Sequence, residues 1–216
     1  MFKSTKMDLL DFFASKHQQE KLHPSPNPNQ NPNQNPTPNQ TETAVVNPFS
    51  DRRHITYPNS YKIIRGTMTS QTEYATLMQF DGASEPNPGP SCGAALLLRT
   101  SNGVVWTPFY EGGVYKPLAT NNMAEYDGLI LGLQMALQKG KKALLIEGDS
   151  ALVISQTTKE WQCKDEKMKS KQAIVQDLLK NFDFVGIRHV LRNFNRLADA
   201  LSKEGIMKGE AFLRNV

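Results

Sequence analysis

The sequence predicts an α/β protein with one mixed sheet of five strands, flanked by helices and preceded by a disordered N-terminal extension. Three observations favour this class. Two strand-like segments flank a hairpin turn, helical and strand-like segments then alternate, and a stretch rich in proline and asparagine precedes them all. The 216 residues suffice for one domain with a sizeable core, and the hydrophobic content of 38% is low for a chain that folds throughout.

Residues 1–20 predict a short helical turn that binds a partner. Leu9, Phe12 and Phe13 stand at i, i+3 and i+4, so a single turn presents them on one side. An apolar turn ahead of a linker is typical of a peptide that docks into a groove of another protein. The spacing Lys6-x-x-Leu9-x-x-Phe12-Phe13 resembles the motif by which replication proteins bind the PCNA sliding clamp, with Lys6 where that motif usually has Gln. Two alternatives stay open: packing against the chain's own domain, or a mitochondrial presequence, which the acidic residues of the segment disfavour.

Residues 21–70 predict a disordered linker. Its part at 26–36 contains only proline, asparagine and glutamine, so it cannot bury a core and should form an extended coil. The part nearest the domain carries several basic residues, which could lie on the domain or on a nucleic acid.

The folded domain is predicted at residues 73–205, with a C-terminal tail at 206–216. Strands are predicted at 74–81, 92–99, 104–110, 143–147 and 184–190, and helices at 121–138, 150–158, 165–179 and 197–203. Asn102-Gly103, between the second and third strands, is a strong hairpin signal.

The overall composition narrows the class of partner and the compartment. A net charge of +4 and a pI near 9.0 make a polyanion a reasonable partner. Two cysteines, Cys92 and Cys163, support neither a disulfide framework nor a zinc site and suit a reducing compartment. No membrane-spanning run and no signal-peptide core is present in the sequence. We therefore expect an intracellular monomer, in the nucleus or cytoplasm rather than in mitochondria, with no membrane partner.

Four acidic residues are candidates for one site. Asp81 and Asp149 each follow an apolar strand, at the edge where open α/β sheets bind ligands. Glu125 stands four residues before Leu129 and continues the core-facing stripe of its helix, whereas Asp199 lies among small and apolar residues. Each acid alone could serve a turn, a cap or an exposed helix face. Together they would repel one another unless a divalent cation bound them, and an all-oxygen ligand set favours magnesium or manganese.

Four segments, in this order, resemble the signature blocks of type 1 ribonuclease H. They are Asp81-Gly82-Ala83-Ser84…Asn87-Pro88-Gly89, Thr120-Asn121-Asn122-Met123-Ala124-Glu125-Tyr126, Gly148-Asp149-Ser150 and Asn195-Arg196-Leu197-Ala198-Asp199-Ala200-Leu201. The resemblance covers roughly residues 74–205 and implies the RNase H-like fold. It also implies hydrolysis of the RNA strand of RNA/DNA hybrids with two Mg²⁺ ions, for which Mn²⁺ can substitute, in DNA replication or repair. The metal-binding catalytic acids that it implies are Asp81, Glu125, Asp149 and Asp199.

The same resemblance implies contacts with the nucleic acid. It assigns Ser84, Asn87, Asn121 and Asn122 to the RNA side of the minor groove, where a protein can read the 2′-hydroxyl. Thr120 would contact a phosphate of the DNA strand. Asn195 is also assigned to the nucleic-acid-binding residues and would orient the loop before Asp199.

The loop before Asp199 resembles the short version found in archaeal and some bacterial relatives. An arginine there takes the role that a histidine has elsewhere, which makes Arg192 the candidate for a catalytic role, while His189 belongs to the strand end. Bacterial and vertebrate relatives grip their substrate with a basic helix, the handle, in a long insertion that this sequence lacks. The lysine-rich segment 164–171 is either a weaker site for gripping the substrate or a solvated helix face. Two other functions stay open: a non-catalytic module that binds RNA/DNA hybrids, and a ribonuclease H domain derived from a retroelement.

Overall fold

The computed structural model describes residues 61–67, 75–100 and 105–216, which form seven strands, four α-helices and one 3₁₀ turn. In chain order these are β1 (Lys62–Arg65), β2 (Thr76–Ser84), β3 (Gly89–Thr100), β4 (Trp106–Ala119), α1 (Asn121–Gln138), β5 (Ala143–Gly148), α2 (Ala151–Thr157), α3 (Glu166–Leu179), β6 (Phe184–His189), the 3₁₀ turn (Arg192–Phe194), α4 (Arg196–Lys208) and β7 (Phe212–Asn215).

All seven strands belong to one mixed sheet, in the order β1-β6-β5-β2-β3-β4-β7. The central strands β2, β5 and β6 are parallel, whereas β3, β4 and β7 extend the sheet antiparallel on one side and β1 does so on the other. Parallel strands need crossover connections, which α1 and the α2–α3 pair supply here.

Helices cover both faces of the sheet because successive residues of a buried strand point to opposite faces. Leu77 of β2 belongs to a core that includes Leu96, Leu145 and Leu201 of α4. On the other face α1 packs so closely that a Cβ on Gly132 would lie 2.4 Å from Met78 Sδ. The sheet is thus buried on both sides, as the sequence predicts.

The sheet has seven strands, so the prediction of five was wrong in number. The two additional strands, β1 and β7, lie at the sheet edges, in segments that the sequence assigned to the linker and the tail. Each has four residues and carries charged or polar side chains among apolar ones, a pattern too short for periodicity to separate it from a loop.

Other element boundaries also differ from the predicted ones. β2 continues to Ser84, so Asp81-Gly82 lies inside a strand rather than at a turn, and β4 continues to Ala119 instead of ending near residue 110. The predicted turn at Asn102-Gly103 lies outside the described residues. None of the helices in the described part of the chain has the length and hydrophobicity needed to cross a membrane.

Candidate active site

The register of β2 and β5 brings two of the predicted acids together. Their parallel ladder ends at the pair Phe80–Gly148, and the next residues are Asp81 and Asp149. β2 nevertheless continues, because its antiparallel ladder with β3 runs on to Ser84. Asp81 therefore lies within a strand, at the point where the neighbouring strand has ended.

Glu125 reaches the same place because α1 approaches β2 very closely. A Cβ on Gly82 would lie 2.0 Å from the backbone nitrogen of Glu125, so only a glycine allows this approach. Thr120 begins the helix as its N-cap, with Oγ1 accepting a hydrogen bond from Met123 N at 3.3 Å. Glu125 consequently lies in the first turns of α1 and faces the sheet.

Asp81, Glu125 and Asp149 form one cluster, in which one carboxylate oxygen of each lies within 4.8 Å of the other two. Asp81 is 4% exposed and Glu125 6%, whereas Asp149 is half-buried. Among the described residues, Glu125 Oε2 is buried and has no hydrogen-bond partner. An ionised buried carboxylate without a partner is costly, so full ionisation of the cluster needs a compensating cation.

The electrostatics of the cluster agree with this need. Burial, followed by the charges of Asp81 and Asp149, raises the pKa of Glu125 to about 9. Burial also raises the pKa of Asp81 to about 6, although Asp81 Oδ2 accepts a 2.5 Å hydrogen bond from Ser202 Oγ. The cluster consists of three carboxylates and contains neither a histidine nitrogen nor a cysteine sulfur. Such a set of oxygen ligands fits a hard divalent cation.

Asp199 lies next to this cluster but is held by two cations. It lies in the first turn of α4. Its carboxylate accepts hydrogen bonds from Arg192 and, at 2.7 Å, from Lys203 Nζ. Burial favours a higher pKa for Asp199, but these two hydrogen bonds outweigh burial and lower the pKa. The structure thus brings three of the four predicted acids together and pairs the fourth with Arg192, whose side chain is 71% exposed.

Asn195 is fully buried, which corrects its predicted contact with nucleic acid. Its Nδ2 donates to Asp149 Oδ1 at 2.7 Å and to the backbone oxygen of Phe80 at 2.8 Å. Because its side chain has no exposed surface, Asn195 positions Asp149 instead of facing a ligand. His189, at the end of β6 as predicted, donates through Nε2 to the backbone oxygen of Asp149 at 3.1 Å.

Residues 79–205 match the sequence profile described as reverse transcriptase-like. The chain belongs to this family. Over 127 residues it is 41% identical to a ribonuclease HI of Halobacterium salinarum, which supports its place in the type 1 ribonuclease H-like superfamily. That match covers 59% of this chain and 62% of the relative, so the chain spans less than two thirds of the length of that curated relative.

Solved structures support the same superfamily. RNase H1 from Halobacterium salinarum superposes with a TM-score of 0.57 at 39% identity, over 62% of this chain and 98% of that one. LC11-RNase H1, solved in complex with an RNA/DNA hybrid, superposes with a TM-score of 0.56 at 25% identity, over 62% and 97% of the two chains. The fold of this reverse transcriptase-like family member is therefore RNase H-like.

The other residues with a predicted nucleic-acid contact lie around the start of α1 in this family member. They are Ser84, Asn87, Thr120, Asn121 and Asn122. Ser84 Oγ donates to the backbone oxygen of Ala119 at 2.8 Å, and Asn87 Oδ1 accepts from the backbone nitrogen of Asn121 at 3.0 Å. The first bond joins the end of β2 to the end of β4, and the second joins the β2–β3 connection to α1. Asn87, Thr120 and Asn122 are exposed.

Sequence reasoning missed two residues of α4 that contact the acids. Ser202 and Lys203 stand at i+3 and i+4 from Asp199, and helical spacing places all three on one face. That spacing was visible in the sequence and could have identified them. The predicted partner-binding residues Leu9, Phe12 and Phe13 lie outside the described residues.

Proposed function

We propose that this protein is a ribonuclease H, which hydrolyses the RNA strand of RNA/DNA hybrids. The cluster of Asp81, Glu125 and Asp149 carries the proposal, because three carboxylates this close, two of them buried, could all ionise only with a cation bound among them. The likeness to a relative named ribonuclease HI and to an RNase H1 solved with an RNA/DNA hybrid supports it. A module that only binds hybrids has no use for such a cluster, which makes the non-catalytic alternative the weaker one.

The proposed cofactor is Mg²⁺, bound as two ions, with Mn²⁺ able to substitute. Asp81, Glu125 and Asp149 would hold it, and Asp199 would complete the set by exchanging its contacts with Arg192 and Lys203. When bound, two such ions favour deprotonation of the attacking water and stabilise the leaving oxygen of an in-line phosphodiester displacement.

The chain's own residues supply orientation and substrate recognition. Ser202 holds one oxygen of Asp81 and Asn195 holds one oxygen of Asp149, which leaves their other oxygens available for ligands. The exposed side chains of Asn87 and Asn122 offer donors and acceptors to a 2′-hydroxyl, and Thr120 at the helix N-terminus suits a phosphate. Arg192 is exposed beside Asp199 and would assist turnover there.

The test is cleavage of a labelled RNA/DNA hybrid in Mg²⁺ or Mn²⁺ by the wild-type protein and by Asp149→Asn. We expect cleavage by the variant to fall to background while hybrid binding is retained, because the change removes one negative charge from the cluster and leaves the outer surface intact. Asp165→Asn is the matched control, since Asp165 caps the distant helix α3 and asparagine caps equally well. Cleavage by Asp149→Asn at the wild-type rate would refute the metal assignment, whereas a wild-type protein that binds hybrids without cutting them would favour the binding module.

We also propose that the N-terminal motif binds a PCNA-type sliding clamp, which would place the enzyme at sites of DNA replication or repair. The spacing of Leu9, Phe12 and Phe13 supports it. Phe12→Ala combined with Phe13→Ala should abolish clamp binding in a calorimetric titration and leave cleavage of a short hybrid unchanged. A wild-type tail peptide that shows no binding would contradict the proposal. The location in the nucleus or cytoplasm, the monomeric state and the retroelement alternative stay predictions.

A further inference from the structure

A buried polar cluster lies directly behind the carboxylates of the candidate site. Gln79 and Glu147 are paired in the parallel ladder of β2 and β5, and each stands two residues before a clustered acid. Side chains two residues apart along a strand share a face, so Gln79 and its ladder partner Glu147 lie on the same face of the sheet as Asp81. Gln79 is 1% exposed and Glu147 is 0% exposed.

Glu147 is the centre of this cluster. Its Oε1 accepts hydrogen bonds from Arg188 Nη2 at 2.5 Å and from Tyr61 Oη at 2.7 Å, and its Oε2 accepts one from Gln79 Nε2 at 2.7 Å. The Arg188 guanidinium also lies 4.4 Å from the centroid of the Tyr61 ring. A buried ion pair of this kind stabilises a fold little more than apolar residues of equal volume would, so stability alone does not explain its presence.

Gln79 connects this cluster to the loop that reaches the acids. Its Nε2 also donates to the backbone oxygen of Phe194 at 3.1 Å, at the end of the 3₁₀ turn. The next residue is Asn195, which holds Asp149 Oδ1 at 2.7 Å. A continuous path of hydrogen bonds therefore runs from Glu147 through Gln79 to the backbone that carries Asn195.

We propose that Gln79 and Glu147 are positioning residues, which fix the 3₁₀ turn and thereby hold Asn195 against Asp149. This inference rests on the proposed function, since its effect on catalysis requires that Asp149 acts in cleavage. Gln79 belongs to β2 and Glu147 to β5, so the bond between them also fixes the orientation of these two strands relative to each other. Groups that orient metal-binding side chains in this way typically change metal affinity or activity by about 10–100-fold when removed.

Tyr61 belongs to the same buried polar cluster but lies outside the part of the chain that matches the family. It directly precedes β1, whereas the family match begins at residue 79. Its hydroxyl bonds to Glu147 and so connects the additional edge strand to the carboxylates through Gln79. The strand β1 is thus part of the support of the site.

The first experiment compares Gln79→Met with Gln156→Met in the full-length protein. Methionine keeps the volume of the side chain and removes its amide. Gln156 is a similarly buried amide whose Oε1 accepts at 2.9 Å from Oη of Tyr126, a residue outside the proposed positioning path. We expect Gln79→Met to lower kcat on a hybrid about tenfold at unchanged KM, and to weaken Mn²⁺ binding in a calorimetric titration about tenfold. Gln156→Met should leave both values unchanged.

Equal effects of the two substitutions would overturn the proposal, because a merely structural role predicts no difference between them. Should Gln79→Met fail to fold, Tyr61→Phe and its control Tyr126→Phe decide the matter, since each removes one buried hydroxyl. Weakened Mn²⁺ binding in Tyr61→Phe alone would support positioning, and unchanged binding would overturn it. A wild-type protein that cleaves no hybrid would refute the proposed function, whereas the Mn²⁺ titration would still test the positioning role.

Discussion

Replacing Glu125 by glutamine should stabilise the metal-free protein. With a pKa of about 9, Glu125 carries a proton at neutral pH when no metal is bound. In the unfolded chain it has its ordinary pKa of 4.5 and is ionised at that pH. Unfolding therefore releases a proton, which favours the unfolded state increasingly as the pH rises from 4.5 towards 9. Glutamine is isosteric with the protonated acid and has no proton to release, so the variant escapes this loss of stability.

The magnitude follows from the two pKa values. Each pH unit between them costs about 1.4 kcal/mol, so wild-type Glu125 lowers the free energy of unfolding by at most about 3.5 kcal/mol at pH 7. For a domain of this size about 1 kcal/mol shifts Tm by roughly 2–4 °C. Glu125→Gln should thus melt several degrees above the wild type in EDTA at pH 7, and the two proteins should converge near pH 4.5.

The assay is thermal unfolding followed by circular dichroism across this pH range in EDTA, with Glu204→Gln as a control of opposite sign. Hydrogen bonds from Arg214, followed by those from Lys208, lower the pKa of Glu204 to about 2. That substitution should therefore destabilise the protein at pH 7, with the difference fading as the pH falls from 4.5 towards 2. A Glu125→Gln variant that melts at or below the wild-type temperature at pH 8 would refute the account of Glu125 as a buried, protonated acid.

Three further predictions follow from the same geometry. The Mg²⁺ concentration for half-maximal cleavage should fall as the pH rises from about 6 to about 9, because Asp81 and Glu125 must lose protons to bind the ion, and a pH-independent value would contradict this. Arg192→Ala should slow turnover but leave Tm nearly unchanged, since an exposed ion pair with Asp199 contributes at most about 1 kcal/mol, and an unchanged kcat would argue against a catalytic role. Gly82→Ala should lower the free energy of unfolding in urea by about 3 kcal/mol or more, because its Cβ would meet the α1 backbone at 2.0 Å; a smaller loss would mean that α1 can move away.

The parts of this site that sequence alone predicts are those with a strong local pattern. The buried strand before Asp149 and the helix at Asn121–Gln138 both have clear apolar periodicity, and the structure confirms them within one residue. Because crossover connections place such strands in parallel, Asp81 and Asp149 were expected at one edge of the sheet, although Asp81 lies inside β2 rather than after it. The ladder between Phe80 and Gly148 confirms that expectation.

The parts that sequence could not predict depend on contacts between distant residues. The pattern around Asp199 shows its helix and the i+4 position of Lys203, but it cannot show that Arg192, from the preceding turn, also bonds to the Asp199 carboxylate. Asn195 was assigned to the nucleic-acid contacts through the resemblance alone, and its burial is visible only in the folded chain. The edge strand β1 is recognised only through its pairing with β6.

The position of Asp81 inside β2, instead of at its end, explains why this acid is so strongly perturbed. Its backbone pairs with Ala94 of the antiparallel strand β3 and is covered by α1 on one face of the sheet. A Cβ on Gly128 of α1 would lie 2.5 Å from the backbone oxygen of Asp81. Its carboxylate meets Ser202 of α4 on the opposite face. An acid at a turn would be solvated and free to change rotamer, whereas this one is fixed by both helical layers and desolvated. The same enclosure that raises its pKa to about 6 holds one of its carboxylate oxygens within 4.8 Å of those of Glu125 and Asp149, so the burial of Asp81 and the proposed metal site have one structural cause.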